Sequence, residues 1–285
     1  MNSAFIYFSI PGIFTNFSVN KLIIDLYKNR PYIFNENIKP DCVYGSFFGN
    51  VWGLERFADS RIDLKRIKKI LNYYKENSIK IQFEINNPLV SEKHLNNKLC
   101  NYMVDLCSDF NLSVVVNSNI LLNHIKEHYP NVNIFTEKKE IQAEKRLIDI
   151  SQIQAEGINS NYEKYELILN DFCECVKNER ERHIEYLAKE QLVGKKVTPY
   201  YPCKMQFDCS YKSVQKHKNF VNFDELYNYN KIGFNRFRIQ SASYLKFLSP
   251  YCTIDDLIYF YIYYLIKQEY QKYLKKALLN RQKVR

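Results

Sequence analysis

The sequence predicts an α/β protein with a single (β/α)8, TIM-barrel-like domain, and three observations predict it. Short apolar strands alternate with amphipathic helices up to eight times, at spacings of roughly 25 to 40 residues, where a doubly wound sheet uses fewer units. Several strands are continuous apolar runs, which suits a parallel sheet covered by helices. The 285 residues are close to the roughly 250 usual for such a barrel. No linker or low-complexity segment divides them, so the domain reads as 1–285, closing on a basic C-terminal helix or tail over 267–285.

A first strand over 5–10 is closed by Pro11-Gly12, a turn signal. Ser18 is the expected cap of a helix over 19–27, with Leu22, Ile23 and Leu26 on one side. A second strand over 41–47 runs into an irregular stretch, 48–56, that holds the only tryptophan, Trp52. Helix 63–77 is amphipathic: Leu64, Ile67, Ile70, Leu71 and Tyr74 recur at helical spacing, with Lys65, Arg66, Lys68 and Lys69 opposite. Strand 79–85 ends in Asn86-Asn87-Pro88. In helix 98–110 the apolar stripe is Cys100, Met103, Val104 and Cys107, so these two cysteines read as small buried hydrophobes. Strand 112–116, helix 120–128 and strand 132–136 follow. The polar stretch 138–163 has the weakest pattern and reads as a helix over 140–150. Strands over 165–169 and 197–201 flank a helix over 180–191. Asn222 caps 223–229, residues 233–239 alternate as the last strand, and Thr253 caps a closing helix over 254–279.

Lysine and arginine number 41 against 31 acidic residues, a formal charge of +10. The excess is local. Between 267 and 285 lie Lys267, Lys272, Lys275, Lys276, Arg281, Lys283 and Arg285 against Glu269 alone, which supplies +6. Such a tail suits RNA or another polyanion; a solvated terminal helix is the alternative. The start of the chain has no basic segment followed by an apolar one, and the longest apolar run, 257–266, is far short of the roughly 20 residues of a membrane span. A cytoplasmic protein without membrane insertion is expected. Its eight cysteines are then thiols or ligands rather than a disulfide framework. With seven glycines and neither G-x-G-x-x-G nor G-x-x-x-x-G-K, no nucleotide cofactor is expected.

The chemistry concentrates between 165 and 209, which holds Cys173, Cys175, Arg180, His183, Cys203 and Cys209. Barrel enzymes work at the carboxyl ends of their strands. Cys173-Glu174-Cys175 follows the strand over 165–169, and Cys203 and Cys209 follow the next, so four thiols converge at one end. Thiolates suit zinc and iron-sulfur clusters, although the C-x2-C pairs of a zinc ribbon are absent. Unrelated free cysteines are the other reading. Arg180 and His183 share a helix face, placed either to hold an anion or donate a proton, or simply on the surface. A nucleophilic pair of Cys173 or Cys203 with His183 is a competing reading. Asn86, Asn87, Asn117, Asn119 and Asn170 stand at strand ends, where asparagine is also a common turn former. His124 and His128, four apart, lack a third metal ligand at spacing and read as surface histidines.

Three stretches resemble a known family. Tyr165-Glu166-Leu167-Ile168-Leu169-Asn170-Asp171-Phe172-Cys173, followed by Arg180-Glu181-Arg182-His183 and Cys203, is similar to the collagenase-like U32 peptidases and their relatives. So are Val43-Tyr44-Gly45-Ser46 with Arg56, and Asn222-Phe223-Asp224-Glu225-Leu226 with Ile232-Gly233-Phe234-Asn235-Arg236-Phe237-Arg238-Ile239. The resemblance implies a TIM-barrel-like fold. It implies also a 4Fe-4S cluster on Cys173, Cys203 and Cys209, with Cys175, used in oxygen-independent, hydroxylation-type modification of RNA, peptide or a small-molecule precursor beside a partner protein. Arg56, Arg180 and His183 would then face the substrate. The sequence departs from the family where the second cysteine falls at Lys177, where Ser241-Ala242 replace Gly-Arg, and at Gly53-Leu54-Glu55-Arg56. Two alternatives stay open: a metal-free cysteine peptidase, and a non-catalytic barrel gripping RNA or a leader peptide through its basic tail.

Overall fold

In the computed structural model, which describes residues 5–54, 63–170, 177–194, 215–240 and 254–282, eight parallel strands close into a barrel in strict chain order. They are β1 (Ile6–Pro11), β2 (Ile38–Gly45), β3 (Lys80–Glu84), β4 (Leu112–Val115), β5 (Asn133–Thr136), β6 (Lys145–Ile148), β7 (Tyr165–Ile168) and β8 (Arg236–Arg238). Pairing of β1 with β8 completes the ring. The expected (β/α)8 architecture is the one observed.

The helices are α1 (Phe17–Asn29), α2 (Leu64–Glu76), the short α3 (Glu92–Leu95), α4 (Lys98–Ser108), α5 (Asn119–His128), α6 (Ile150–Glu156), α7 (Lys177–Val193), α8 (Phe223–Ile232), α9 (Ile254–Leu265) and α10 (Gln268–Gln282). The outer strand faces, including Phe8, Val43, Ile81, Phe83, Val114, Ile134, Leu167 and Phe237, share one continuous core with α1, α2, α4 and α5. Cys100 and Cys107 lie fully inside that core, as the stripe on α4 requires. The seam between β8 and β1 is sealed by α9: the Tyr261 hydroxyl donates to Asn20 Oδ1 on α1 at 2.9 Å, and Tyr264 donates to the Val221 carbonyl at 2.7 Å.

The caps explain where most helices begin. Asp63, Asn97, Asp149 and Asn222 each accept a backbone N–H with the side chain, and Asp149 and Asn222 build capping boxes with Gln152 and Glu225. At α1 the expected cap, Ser18, lies inside the helix. The N-cap position falls on Asn16, whose side chain instead donates to the Pro11 carbonyl.

Two expected elements differ. The helix over 140–150 is replaced by a turn and then β6. Its Arg146 turns outward to hydrogen-bond Glu156 of α6, while Leu147 turns inward, so non-local pairing with β5 and β7 overrides the local pattern. The closing helix is broken in two. At the break Ile266 forms an antiparallel bridge with Phe34, and the Lys267 N–H donates to the Ile33 carbonyl. The expected strand over 197–201 lies outside the described residues, and β6 takes the eighth place in the ring. Among the described residues no helix is long and apolar enough to cross a membrane.

Candidate functional site

Along each barrel strand inward and outward side chains alternate, and laterally paired residues share a face. Arg238 pairs with Ser9 and Ile168, Glu166 with Leu147, Val115 with Phe135 and Glu84, and Gln82 with Tyr44. All of them belong to the lumen. Branched aliphatic residues usually fill this space, but here it is divided. Val115, Phe135, Leu147 and Ile168 form a buried apolar cluster separate from the outer core. Adjoining it in the lumen are Tyr44, Gln82, Glu84, Glu166 and Arg238.

Arg238 organises the polar half. It is 2% exposed and reaches from β8 to β3, where Nη1 donates to Gln82 Oε1 and Nη2 to Glu84 Oε1. Its guanidinium carbon lies 3.2 Å from the centre of the Tyr44 ring, and the Tyr44 hydroxyl donates to the Ile239 carbonyl at 2.6 Å. Burial works against the charged guanidinium, yet Tyr44, Glu84, Glu166 and Glu137 around it outweigh burial, so its pKa stands above the ordinary arginine value.

Glu166 is the anomaly. It is 1% exposed, its Oε1 stands 3.8 Å from Arg238 Nη1, and neither of its oxygens has a hydrogen-bond partner among the described residues. That distance is an ion pair and too long for a hydrogen bond. A buried carboxylate with unused acceptors is costly, which makes it a docking point for a donor. Cys42, also inward-facing, is not a nucleophile for this site: burial first, then Glu166 and Asp41, push its thiol up to about 12. Deeper in the barrel Asp41 is held by Lys80 at 2.9 Å and Arg236 at 3.1 Å.

The strand-end asparagines largely stitch the rim. Asn117 Nδ2 donates to Glu137 Oε2 at 2.7 Å, and its Oδ1 accepts from the Glu137 N–H at 3.0 Å. Asn87 Nδ2 donates to the Val51 carbonyl at 3.0 Å and to the Ala188 carbonyl at 3.2 Å. Asn170 Oδ1 accepts from the Gln240 N–H at 2.6 Å. Buried Asn86 Oδ1 and Asn170 Nδ2 have no hydrogen-bond partner among the described residues.

Of the residues singled out in the sequence, Arg56, Cys173, Cys175, Cys203 and Cys209 lie outside the described residues. Arg180 and His183 do sit three apart on α7 and are half-buried. The Ala188 contact brings α7, which follows β7, to the loop after β3, on the opposite side of the ring. His124 and His128 stack with ring centres 4.4 Å apart, but His124 Nε2 is 3.0 Å from Asn101 Oδ1. Among the described residues no group of three or more metal-ligating side chains occurs. Burial pushes the Cys100 thiol up to about 11, consistent with a core role.

The lumen residues Gln82, Glu84 and Glu166 were not singled out by residue type. Their signal was polar residues at every second position of otherwise apolar strands, Gln82 and Glu84 in β3 and Arg236 and Arg238 in β8.

No protein-family model matches the sequence, and no curated protein matches it. Among solved structures, that of the U32 peptidase Mk0906 is similar, with a TM-score of 0.48 and 12% identity over 85% of this chain and 94% of that one. The likeness is one of fold alone.

Proposed function

We propose that this chain is an enzyme of the collagenase-like peptidase kind that acts on a peptide, or on a comparable polar chain, at the carboxyl-terminal mouth of the barrel. The observation that carries this reading is Glu166, a buried carboxylate with no hydrogen-bond partner among the described residues, paired only at 3.8 Å with an arginine that hydrogen-bonds Gln82 and Glu84. A fold gains little from such a group, because apolar residues of similar volume are usually as stabilising or more so. Costly, perturbed groups of this kind concentrate at functional sites. A second fact supports it: the three stretches that resemble the family each send a residue into the lumen, namely Tyr44, Glu166 and Arg238.

In this reading Glu166 accepts a proton or a hydrogen bond from the substrate or from an attacking water. Arg238 holds Glu84 by a hydrogen bond and stands within ion-pair distance of Glu166. Glu84, whose side chain is 20% exposed, faces the entry. The test is a peptide library incubated with wild type and with Glu166→Gln, read by mass spectrometry for cleavage or mass change. Turnover by wild type that falls about 100-fold or more in the isosteric variant is expected, the usual range for loss of a general base. No change in any peptide, or equal turnover by both proteins, overturns the reading.

The iron-sulfur cluster is a second reading. It is favoured by Asn170, fixed at the rim by Gln240 and by a bridge to Phe220, because Cys173 follows only three residues later. Cys173, Cys175, Cys203 and Cys209 would hold the cluster, which supplies electron transfer or a Lewis-acidic iron; the roles given to Glu166 and Arg238 do not run through it. Protein purified without oxygen is expected to carry about four irons per chain, lost in a Cys173→Ala/Cys203→Ala variant. Metal-free, colourless protein overturns it.

A further inference from the structure

Within the mouth reading above, on which this inference rests, we propose that the ligand of the lumen is a primary ammonium carried on an apolar body, with its nitrogen on Glu166 and its carbon frame against Val115, Phe135, Leu147 and Ile168.

The first half of the argument is hydrogen-bond accounting. An ionised carboxylate only accepts, at up to about four lone-pair sites, so whatever satisfies Glu166 is a donor. Arg238 does not supply it: Nη1 serves Gln82, Nη2 serves Glu84, and Glu166 is left at 3.8 Å, beyond hydrogen-bond distance. Lys145, a second cation that interacts electrostatically with Glu166, turns its ammonium to the Glu163 carbonyl at 2.6 Å. Cys42 lies in the same field with its thiol kept protonated by burial, and its Sγ is directed to the Val43 carbonyl. None of these groups hydrogen-bonds the carboxylate. A compact ammonium offers three donors and a positive charge, whereas an anionic ligand without a donor would leave the acceptors of Glu166 unused.

The second half is the wall beside it. Leu147 pairs laterally with Glu166 across β6 and β7, and Ile168 follows Glu166 on the same face of β7. Phe135 and Val115 continue the surface across β5 and β4. An acceptor and an apolar face thus lie side by side, as expected of a site with few convergent polar groups on an apolar lining. Aliphatic and aromatic amines match both, and so does the amino terminus of a peptide that begins with an apolar residue.

The test uses the full chain and small probes whose binding is read by calorimetry, independent of turnover. Phenethylamine is expected to bind wild type, and its anionic counterpart phenylpropionate to bind at least tenfold more weakly. Glu166→Gln is expected to lower phenethylamine affinity at least tenfold. Leu147→Ala is expected to weaken phenethylamine but leave methylamine unchanged. Equal binding of the two phenyl probes by wild type, or no amine binding at all, overturns the proposal, and this comparison does not depend on any variant folding. The two readings fail separately. Amine binding without peptide turnover leaves the ligand class standing and removes the activity; turnover that phenethylamine neither competes with nor slows removes the ligand class alone.

Discussion

Arg238 carries a full charge into a barrel interior that branched aliphatic side chains would ordinarily fill, and its surroundings show what depends on it. Replacing it by methionine keeps the volume but leaves Glu84 and Glu166 without their guanidinium, and breaking a buried pair from one side costs about 3–5 kcal/mol. Glu166→Gln costs less, because it removes a carboxylate that lacks hydrogen bonds and leaves Arg238 its bonds to Gln82 and Glu84, giving up only the longer ion pair. Urea unfolding of the two variants checks the contrast: a large loss in Arg238→Met and a clearly smaller one in Glu166→Gln. An Arg238→Met protein as stable as wild type would show that the cluster is not the keystone described. These residues were hard to see in the sequence for a physical reason. Cysteine and histidine attract attention by type wherever they stand, whereas glutamate, glutamine and arginine are ordinary on surfaces. They become informative only once a strand's alternation turns them inward. Tyr44 and Arg238 stand in stretches that resemble the family, but their stacking depends on β2 and β8 sharing one ring.

At the scale of elements, the loop after β2 shows how the mouth is built. Asn50 donates to the Glu84 carbonyl at 2.9 Å, Trp52 is fully buried with its indole N–H on the His94 carbonyl at 2.8 Å, and the Asn87 N–H donates to the Trp52 carbonyl at 2.8 Å. Gly53 sits where this loop meets β3, and a Cβ there would lie 2.6 Å from the Glu84 carbonyl oxygen. That neighbour is backbone and gives way little. Gly53→Ala is therefore expected to destabilise by about 1–3 kcal/mol through overpacking and, because Glu84 holds Arg238, to reduce activity at the mouth as well. A thermal melt and a turnover assay on the same preparation check it, and an unchanged melting temperature would exclude the crowding. The elements most readable in the sequence were those with local signals, such as α2 with its stripe and Asp63 cap, and α8 with its Asn222 box. The misread element, β6, has only four residues, and its charged Lys145 and Arg146 imitate the exposed face of a helix. What makes it a strand is pairing with β5 and β7, which no local window contains.

For the whole molecule the barrel was legible as a count of alternating units, while the identity of one unit was not, since closure requires eight strands but does not say which segment supplies each. The closure also determines how stability responds to acid. β6 enters the ring without a preceding helix and is tied to its own outer layer by Arg146, whose Nη1 donates to Glu156 Oε2 of α6 at 2.7 Å. That hydrogen bond holds the Glu156 carboxyl below its ordinary value of 4.5. A carboxyl depressed in the folded state contributes stability that is complete above the unfolded pKa and is lost as pH falls through the folded one. The contribution is thus complete at neutral pH and declines below about pH 4.5 as pH falls toward and through the folded pKa. Both side chains keep some contact with water, 13% and 20% exposed, so the pair is worth about 1 kcal/mol or less. Glu156→Gln is accordingly expected to lower the unfolding free energy by up to about 1 kcal/mol at pH 7 and by less at pH 3, below the unfolded pKa, where part of the contribution is gone. Urea titrations at the two pH values decide it. A deficit that persists undiminished in acid would mean that Glu156 supports β6 by packing rather than by its charge.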